Sequence, residues 1–502
     1  MAEEIINYAS SPPNSTKKIA AFRPRILYCS LFVWNTVTVG KFIAPLLQTL
    51  SPKFTDSLIG VTLSIQYGIV AALAGWGGSL ADRAERKSSQ WGHGRLLVIA
   101  LSTTLGTFAF LGHALPDCLG YTETIIHATP NGDSTTPWDY LLLWHVLMRF
   151  IYAISMAICA PALDGLALAH LDAMEDATQA EFGKERMWGA MFWGIGSLVN
   201  GVGIDKYGFG FMYFMVILST ITSYLVIGVY IWGLARDSTG AFASKANASE
   251  NKTTYQSLDA SNNSGLNSTE NPKESDIIPT RELFILLCKT GYGIAFCVFL
   301  FLLASGISVV DNLAFIFFAM LGSTDSMNGL TVVFTVFMEI PCFHYAPELL
   351  KCYGPGKMLL IAGGAYVIRV FGYTIVPKGH MGMILILETL HGFTYACQKV
   401  GSVEFVARIM PKGYEASGQG ILILISYFGV VVGLFVAGWV QEALGPRAMY
   451  GSMGVIVLIG MIILIVAEKC SSDDSATKDV TVKPQETKDE QTHLLPGAKF
   501  VR

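Results

Sequence analysis

Charge is what this sequence has least of. Only 14% of its 502 residues are Asp, Glu, Lys or Arg, where a soluble domain carries about 25%. A soluble chain of this length would divide into several domains with far more charge on their surfaces, so the composition argues against that class. A net charge of -4 leaves no global basic surface, so no nucleic-acid partner is expected. The cysteines at 29, 118, 159, 288, 297, 342, 352, 397 and 470 have no CxxC or zinc-finger spacing, which argues against a disulfide or metal framework. The N-terminal MAEEIINYASSPPNSTKK lacks the apolar core of a cleaved signal peptide. No nucleophile–base set, metal motif or phosphate loop is visible; the glycines of WGAMFWGIGSLVNGVG are not followed by Lys-Ser/Thr. An enzyme is therefore disfavoured, and neither cofactor nor metal is expected.

What the chain does have is apolar length. It is 52% hydrophobic with 50 glycines, and its mean hydropathy is +0.48. A membrane-crossing helix needs about 20 mostly apolar residues. That ruler predicts helices over 25–50, 57–80, 95–114, 138–162, 186–205, 210–234, 290–321, 326–349, 357–376, 382–406, 417–441 and 447–467. The expected fold is an all-α membrane protein with about twelve transmembrane helices in two six-helix halves. The domain boundaries follow: a tail at 1–24, a first half at 25–235, a polar linker at 236–280, a second half at 281–467 and a tail at 468–502. Linker and tails are rich in Ser, Asn, Thr and charge and read as disordered. Just after the linker, IPTRELFILLCK reads as a short interfacial helix.

Lys and Arg set the orientation. With the N-terminus inside, the inner segments hold Lys17, Lys18, Arg23, Arg25, Arg83, Arg86, Lys87, Arg95, Lys184, Arg186, Lys351, Lys357, Arg408 and Lys412. The outer loops hold only Lys53, Lys206, Lys378 and Arg447. Both termini are then cytosolic, and the sequons at Asn14, Asn247, Asn251, Asn262 and Asn267 fall on the inner side, where they carry no glycan.

The halves echo each other. Aligning Gly201 with Gly438 places Gly208 on Gly445 and Met212-Tyr213 on Met449-Tyr450. HGRLLVIA (93–100) matches PGKMLLIA (355–362), each following an even-numbered helix of its half. Two halves repeated in one orientation are a transporter architecture.

Polar residues inside these apolar segments are costly; a charge at a helix centre costs about 2.5–3.5 kcal/mol on insertion scales. The tenth segment nevertheless carries Glu388, His391, Tyr395, Gln398, Lys399 and Ser402 on one face. The ninth carries Tyr366, Arg369 and Tyr373, the fourth His145, Arg149 and Tyr152, the eighth Thr331, Thr335 and Glu339, and the seventh Asp311 and Asn312. A lipid-facing polar stripe is unfavourable, so these faces are expected to meet protein or a wet cavity. The rise of about 1.5 Å per residue puts Arg369 and Glu388 at one depth, as expected of a pair. Such pairs also serve simply to hold helices together. His145 and His391 are equally readable as hydrogen-bonded core residues, and a Glu388–His391 metal site lacks a third ligand of suitable spacing.

The stretch GGSLADRAERK (77–87), after the second helix, resembles the loop signature of the major facilitator superfamily, with Gly78, Asp82, Arg83, Arg86 and Lys87 at its marked positions. Here SSQWGHG separates the basic part from Arg95. FGKERMWGAMFWGIGSLVNGVGIDKYG, GISVVDNLAFIFFAMLG, MEIPCF, AYVIRVFGY and LETLHGF narrow the resemblance. They are similar to the branch containing the lactose permease, bacterial nucleoside–proton symporters and, nearest in pattern, the animal domain-containing protein six relatives. The resemblance spans nearly everything but the tails and linker. It implies a secondary active transporter for a small polar solute, coupled to protons, with Asp311, Arg369, Glu388 and His391 in the coupling region. The substrate cavity would take His145, Arg149, Tyr152, Asn312, Glu339, Tyr395 and Gln398. Thr394 stands where the permease has a further acid, and the permease's acid on helix 4 and Arg on helix 5 have no evident counterpart, so galactoside recognition is not implied. Asp164, in APALDGLAL, resembles a subgroup signature and is expected to pair with Arg186 or to cap a helix end. The alternative function on the same fold is a non-transporting receptor or scaffold.

In the tail, EQTHLL resembles an acidic dileucine sorting signal, with Glu490, Leu494 and Leu495. It implies sorting adaptors as partners and an endolysosomal or vacuolar address, the plasma membrane being the alternative. Cys470, just past the last helix, is a candidate palmitoylation site. The expected state is a monomer in the bilayer.

Overall fold

The computed structural model describes residues 24–88, 90–122, 137–172, 180–236, 280–411 and 415–480. The five sequons and the residues Glu490, Leu494 and Leu495 lie outside them. The described residues are helical almost throughout and contain no strand.

Twelve long helices, α1 to α12, account for the predicted segments. α1 comes in two pieces, Arg25–Thr38 and Ile43–Leu50. Then follow α2 (Asp56–Lys87), α3 (His93–Leu111), α4 (Pro137–Asp172), α5 (Ala180–Tyr207) and α6 (Gly210–Arg236). A short helix, Thr280–Leu287, stands where the interfacial one was expected, and α7 is Gly291–Met320. α8 and α9 are the limbs of one helical run, Asp325–Ile375, that bends at Gly354. α10 comprises Met381–Glu388 and Leu390–Ile409; α11 is Glu415–Leu444; α12 is Pro446–Val480, which runs on past 467. Ten of these are long and apolar enough to cross a membrane. The exceptions are α5, with charged residues at both ends, and α10, interrupted at Thr389 and carrying the polar stripe.

Twelve helices running in alternate directions bring residues 24 and 480 to one end of the bundle, here the near end; the turns before α2, α8 and α12 lie at the far end. α2 packs on α11 and α5 on α8, so two helix pairs join the halves.

The repeat is visible in this packing. α2 opens with Thr55-Asp56-Ser57 and Gly60, α8 with Thr324-Asp325-Ser326 and Gly329. Each Thr hydroxyl caps its helix, Thr55 accepting from Leu58 N at 3.4 Å and Thr324 from Met327 N at 3.2 Å. A Cβ at Gly201 would lie 2.1 Å from the Asp325 carbonyl, and one at Gly438 2.8 Å from that of Asp56. A Cβ at Gly329 would lie 2.4 Å from the Ser197 carbonyl, and one at Gly60 2.6 Å from that of Leu434. Only glycine lets these backbones meet. Four residues on from the paired glycines, Asp205 accepts from Asp325 N (2.7 Å) and Ser326 N (2.8 Å), and Glu442 accepts from Ser57 N (2.9 Å). A carboxylate on each half thus caps a helix N-terminus of the other, where free N–H groups and the helix dipole favour negative charge. The far end is closed by these two related contacts.

Candidate functional site: a buried ion cluster between the halves

α9 and α10 face each other with their polar stripes. Arg369 and Glu388 are both 0% exposed. Arg369 Nη2 donates to both carboxylate oxygens at 2.8 Å, and Nε donates to Oε1 at 3.3 Å and to Tyr373 Oη at 2.8 Å. The Tyr373 hydroxyl donates to Glu388 Oε1. Thr335 and Lys41 complete the shell, donating to Oε2 at 3.2 and 3.4 Å. Removing a carboxylate from solvent is costly unless its lone pairs are filled; here they are. Arg369 Nη1 lies 2.8 Å from His391 Nδ1. A guanidinium only donates, so Nδ1 accepts and the imidazole is neutral, with its proton on Nε2.

Asp311 is differently placed. Its side chain is 37% exposed, Lys41 Nζ is 4.0 Å from Oδ1, and His391 Nδ1 is 3.9 Å away. It makes no hydrogen bond to a described residue. The neighbouring Asn312 donates to Ser308 O at 2.8 Å and accepts from the Tyr67 hydroxyl of the other half at 3.3 Å. Tyr67 faces Tyr427, with ring centroids 6.4 Å apart. Tyr395 stacks on His391 at 5.8 Å and meets the Phe343 edge at 6.0 Å. Lys399 Nζ lies 5.7 Å from the Tyr395 ring, and Gln398 is buried beside it. Glu339 of α8 is half-buried, within the electrostatic reach of Arg186 and Asp311. The seam between the halves thus offers carboxylates, tyrosine hydroxyls, an amide and aromatic faces, the set that binds a small polar solute.

His145, Arg149 and Tyr152, expected in the cavity, are instead packed inside the first half, each almost wholly buried. Arg149 donates to Gln66 Oε1 through Nε (2.9 Å) and Nη2 (2.6 Å) and to Thr38 O through Nη1 (2.9 Å). Tyr152 lies under that guanidinium and shares a 2.9 Å hydrogen bond with Thr38 Oγ1. His145 stacks on His113, with Nδ1 atoms 3.0 Å apart. The reason for the correction is partner supply: Thr38 of α1, Gln66 of α2 and His113 just past α3 satisfy these groups locally, so the chain does not turn them toward Asp311.

At the near end the loop signature divides its tasks. Asp82 accepts from Arg95 Nη2 at 3.1 Å. Arg83 folds back on Ser79, donating to its carbonyl at 3.2 Å. Arg86 and Lys87 occupy the last turn of α2, where cations complement the dipole. Glu85 caps α3, accepting from Gly92 N and from Arg95 N at 3.0 Å. The close helix approach falls on Gly77, whose Cβ would lie 2.3 Å from the Ala157 carbonyl; at Gly78 the nearest atom is Pro161 Cβ at 3.6 Å. Asp164 accepts from the Tyr28 hydroxyl at 2.7 Å and stands 4.0 Å from Arg186 Nη1.

Comparison with known proteins agrees with this architecture. A profile of the MFS_1 like family matches residues 41–452. The chain belongs to that family. Among solved structures, a variant of the nucleoside transporter NupG matches with a TM-score of 0.63 at 14% identity, covering 90% of this chain and 100% of that one. The xylose transporter XylE from E. coli, in a partially occluded inward-open conformation, matches with a TM-score of 0.56 at 14% identity over 89% and 98%. A POT family transporter in complex with 5-aminolevulinic acid gives 0.57 at 12% over 90% and 96%. These likenesses are of fold. Family and fold together support a multi-pass membrane transporter.

In this MFS_1-like protein two polar residues escaped the reading from sequence. Lys41 is the only charge between Arg25 and Lys53 in an apolar run, a signal that was there to be read. Gln66 had none; a single amide in α2 is unremarkable until Arg149 is found against it.

Proposed function

We propose that this protein is a secondary active transporter that moves a small polar solute by alternating access, coupled to protons through Asp311. The observation that carries the reading is the contrast between two carboxylates that share the Lys41 ammonium as a neighbour. Glu388 is sealed and filled with donors, whereas Asp311 is partly exposed, unbonded and flanked by Lys41. A carboxylate in that position gains or loses a proton as its neighbours move. Arg369, Glu388 and His391 act as the fixed electrostatic wall of the site, and Asn312, Glu339, Tyr395 and Gln398 line the solute space. His145, Arg149 and Tyr152 stiffen the first half.

The Lys/Arg distribution supports cytosolic termini, so the near end is the cytosolic side and the far end, closed here, the outer one. Asp164 and Arg186 belong to the near-side gate. The tail signal Glu490–Leu494–Leu495 would pass the protein to sorting adaptors and an endolysosomal or vacuolar membrane.

The test is uptake by purified full-length protein in proteoliposomes, with and without an inward-acid pH gradient. The panel is radiolabelled sugars, nucleosides, amines and short peptides. Gradient-dependent accumulation of one class, lost in Asp311→Asn, is expected. No uptake of any class would favour the receptor or scaffold.

A further inference from the structure

The structure assigns Lys41 a positioning role: it is the group through which the first half of the protein sets the proton occupancy of Asp311. This rests on the proton-coupled reading above and adds to it the moving part.

Lys41 sits in the non-helical break of α1, residues 39–42, between the two helical pieces. From there its side chain crosses the seam. Nζ lies 3.4 Å from Glu388 Oε2, 4.0 Å from Asp311 Oδ1 and 5.9 Å from the centre of the Phe315 ring, all in the second half. Phe42 packs edge-on against the same Phe315 at 4.8 Å. No acid of the first half lies within ion-pair distance of it among the described residues. Glu388 has Arg369, Tyr373 and Thr335 without Lys41, so that bond is surplus to it. Among the described residues Asp311 has no other cation within 4.0 Å, because His391 accepts from Arg369 and is neutral.

The remaining titratable or charged groups that act on Asp311 are Tyr67 of α2, Glu339 of α8, Tyr366 and Arg369 of α9, Glu388, His391 and Tyr395 of α10, and Tyr450 of α12. Of these only Tyr67 belongs to the first half, and a phenol is uncharged near neutral pH. When the halves part at the far end, the second-half groups travel with Asp311. Among the described residues, Lys41 is the one charge that leaves. A nearby cation holds a carboxylate ionised, and its withdrawal favours the protonated acid. Asp311 therefore takes a proton while the far end is open. The return of Lys41 on closure displaces that proton toward the open near end. The solute need not touch Lys41 for its transport to be coupled.

The test needs no solute. Purified full-length protein is titrated by infrared difference spectroscopy, reading the carboxylic C=O stretch that Asp311→Asn removes. In Lys41→Gln the Asp311 midpoint is expected to rise by about one pH unit or more. Lys41→Met, which keeps the stem over Phe315, carries the test if the Gln variant does not fold. In Gly201→Leu/Gly438→Leu, which prises the far end apart with Lys41 intact, the midpoint is expected to rise likewise. A midpoint unmoved by loss of the Lys41 charge overturns the proposal and leaves proton coupling standing. So does a midpoint that moves in the Lys41 variants but not in the prised-open protein, since Lys41 then does not travel. An Asp311 band that never titrates sinks the proton-coupled reading itself.

Discussion

Arg369 and Glu388 form a two-pronged pair, Nη2 to both carboxylate oxygens at 2.8 Å, with neither side chain exposed. Removing one partner leaves the other charge buried and unpaired, at a cost of about 3–5 kcal/mol. Arg369→Met and Glu388→Gln are each expected to lower the unfolding temperature of the detergent-solubilised protein markedly. The double variant Arg369→Met/Glu388→Leu is expected to recover part of the loss. Single variants as stable as the parent would mean that the pair is not sealed.

The far end closes through glycines whose replacement has nowhere to go. Gly201→Leu and Gly438→Leu place side-chain carbon against the Asp325 and Asp56 carbonyls. Both are expected to shift the protein toward a far-open state. A single cysteine introduced at the far-end seam, in a background without the native ones, should gain reactivity toward a membrane-impermeant maleimide. Unchanged labelling in both variants would show that the α5–α8 and α2–α11 contacts do not close that end.

Asp205 and Glu442 should weaken the same closure more gently. Each contact is a carboxylate accepting from N–H groups at a helix start, in an exposed place where solvent screens it. Asp205→Asn/Glu442→Gln keeps the shape and removes the charge. The same maleimide assay is expected to show a partial gain, smaller than for the leucine variants.

Near the other end, the pairing of Asp164 and Arg186 is long, at 4.0 Å, and half-exposed. Such pairs contribute about 0–1 kcal/mol. Arg186→Gln should leave thermal stability within error. Tyr28→Phe removes the 2.7 Å bond to Asp164 and should cost about 0.5–1.5 kcal/mol. Equal losses from the two variants would contradict this ranking.

The orientation drawn from Lys and Arg has its own check. Full-length protein made in a glycosylating host is expected to show no mobility change on treatment with an N-glycosidase. A shift abolished by substituting Asn247, Asn251, Asn262 and Asn267 would invert the topology.

Much of the site is legible in the sequence. The helical rise alone puts Arg369 and Glu388 at one depth. Asp164 with Arg186 followed from a signature and a nearby basic residue. Arg149 was misread for a physical reason. Depth and face along one helix do not say which neighbour's amide or carbonyl will satisfy a guanidinium, and Gln66 and Thr38 did so inside the first half. Likewise the loop signature marks Gly78, but the helix rotation that presses Gly77 onto Ala157 is a property of the packed pair.

The sequence by itself determined the number and extent of the helices, since bilayer thickness sets the length of every apolar run. It also determined the twofold repeat, in which Gly208 was set on Gly445, and the structure finds both at positive φ (71° and 81°). Only the tertiary structure decided which charges are sealed and which are left to titrate. That depends on how the helices rotate about their axes and how the two halves meet, and on Lys41 reaching from one half into the ion cluster of the other. No periodicity records a contact between segments some 270 to 350 residues apart.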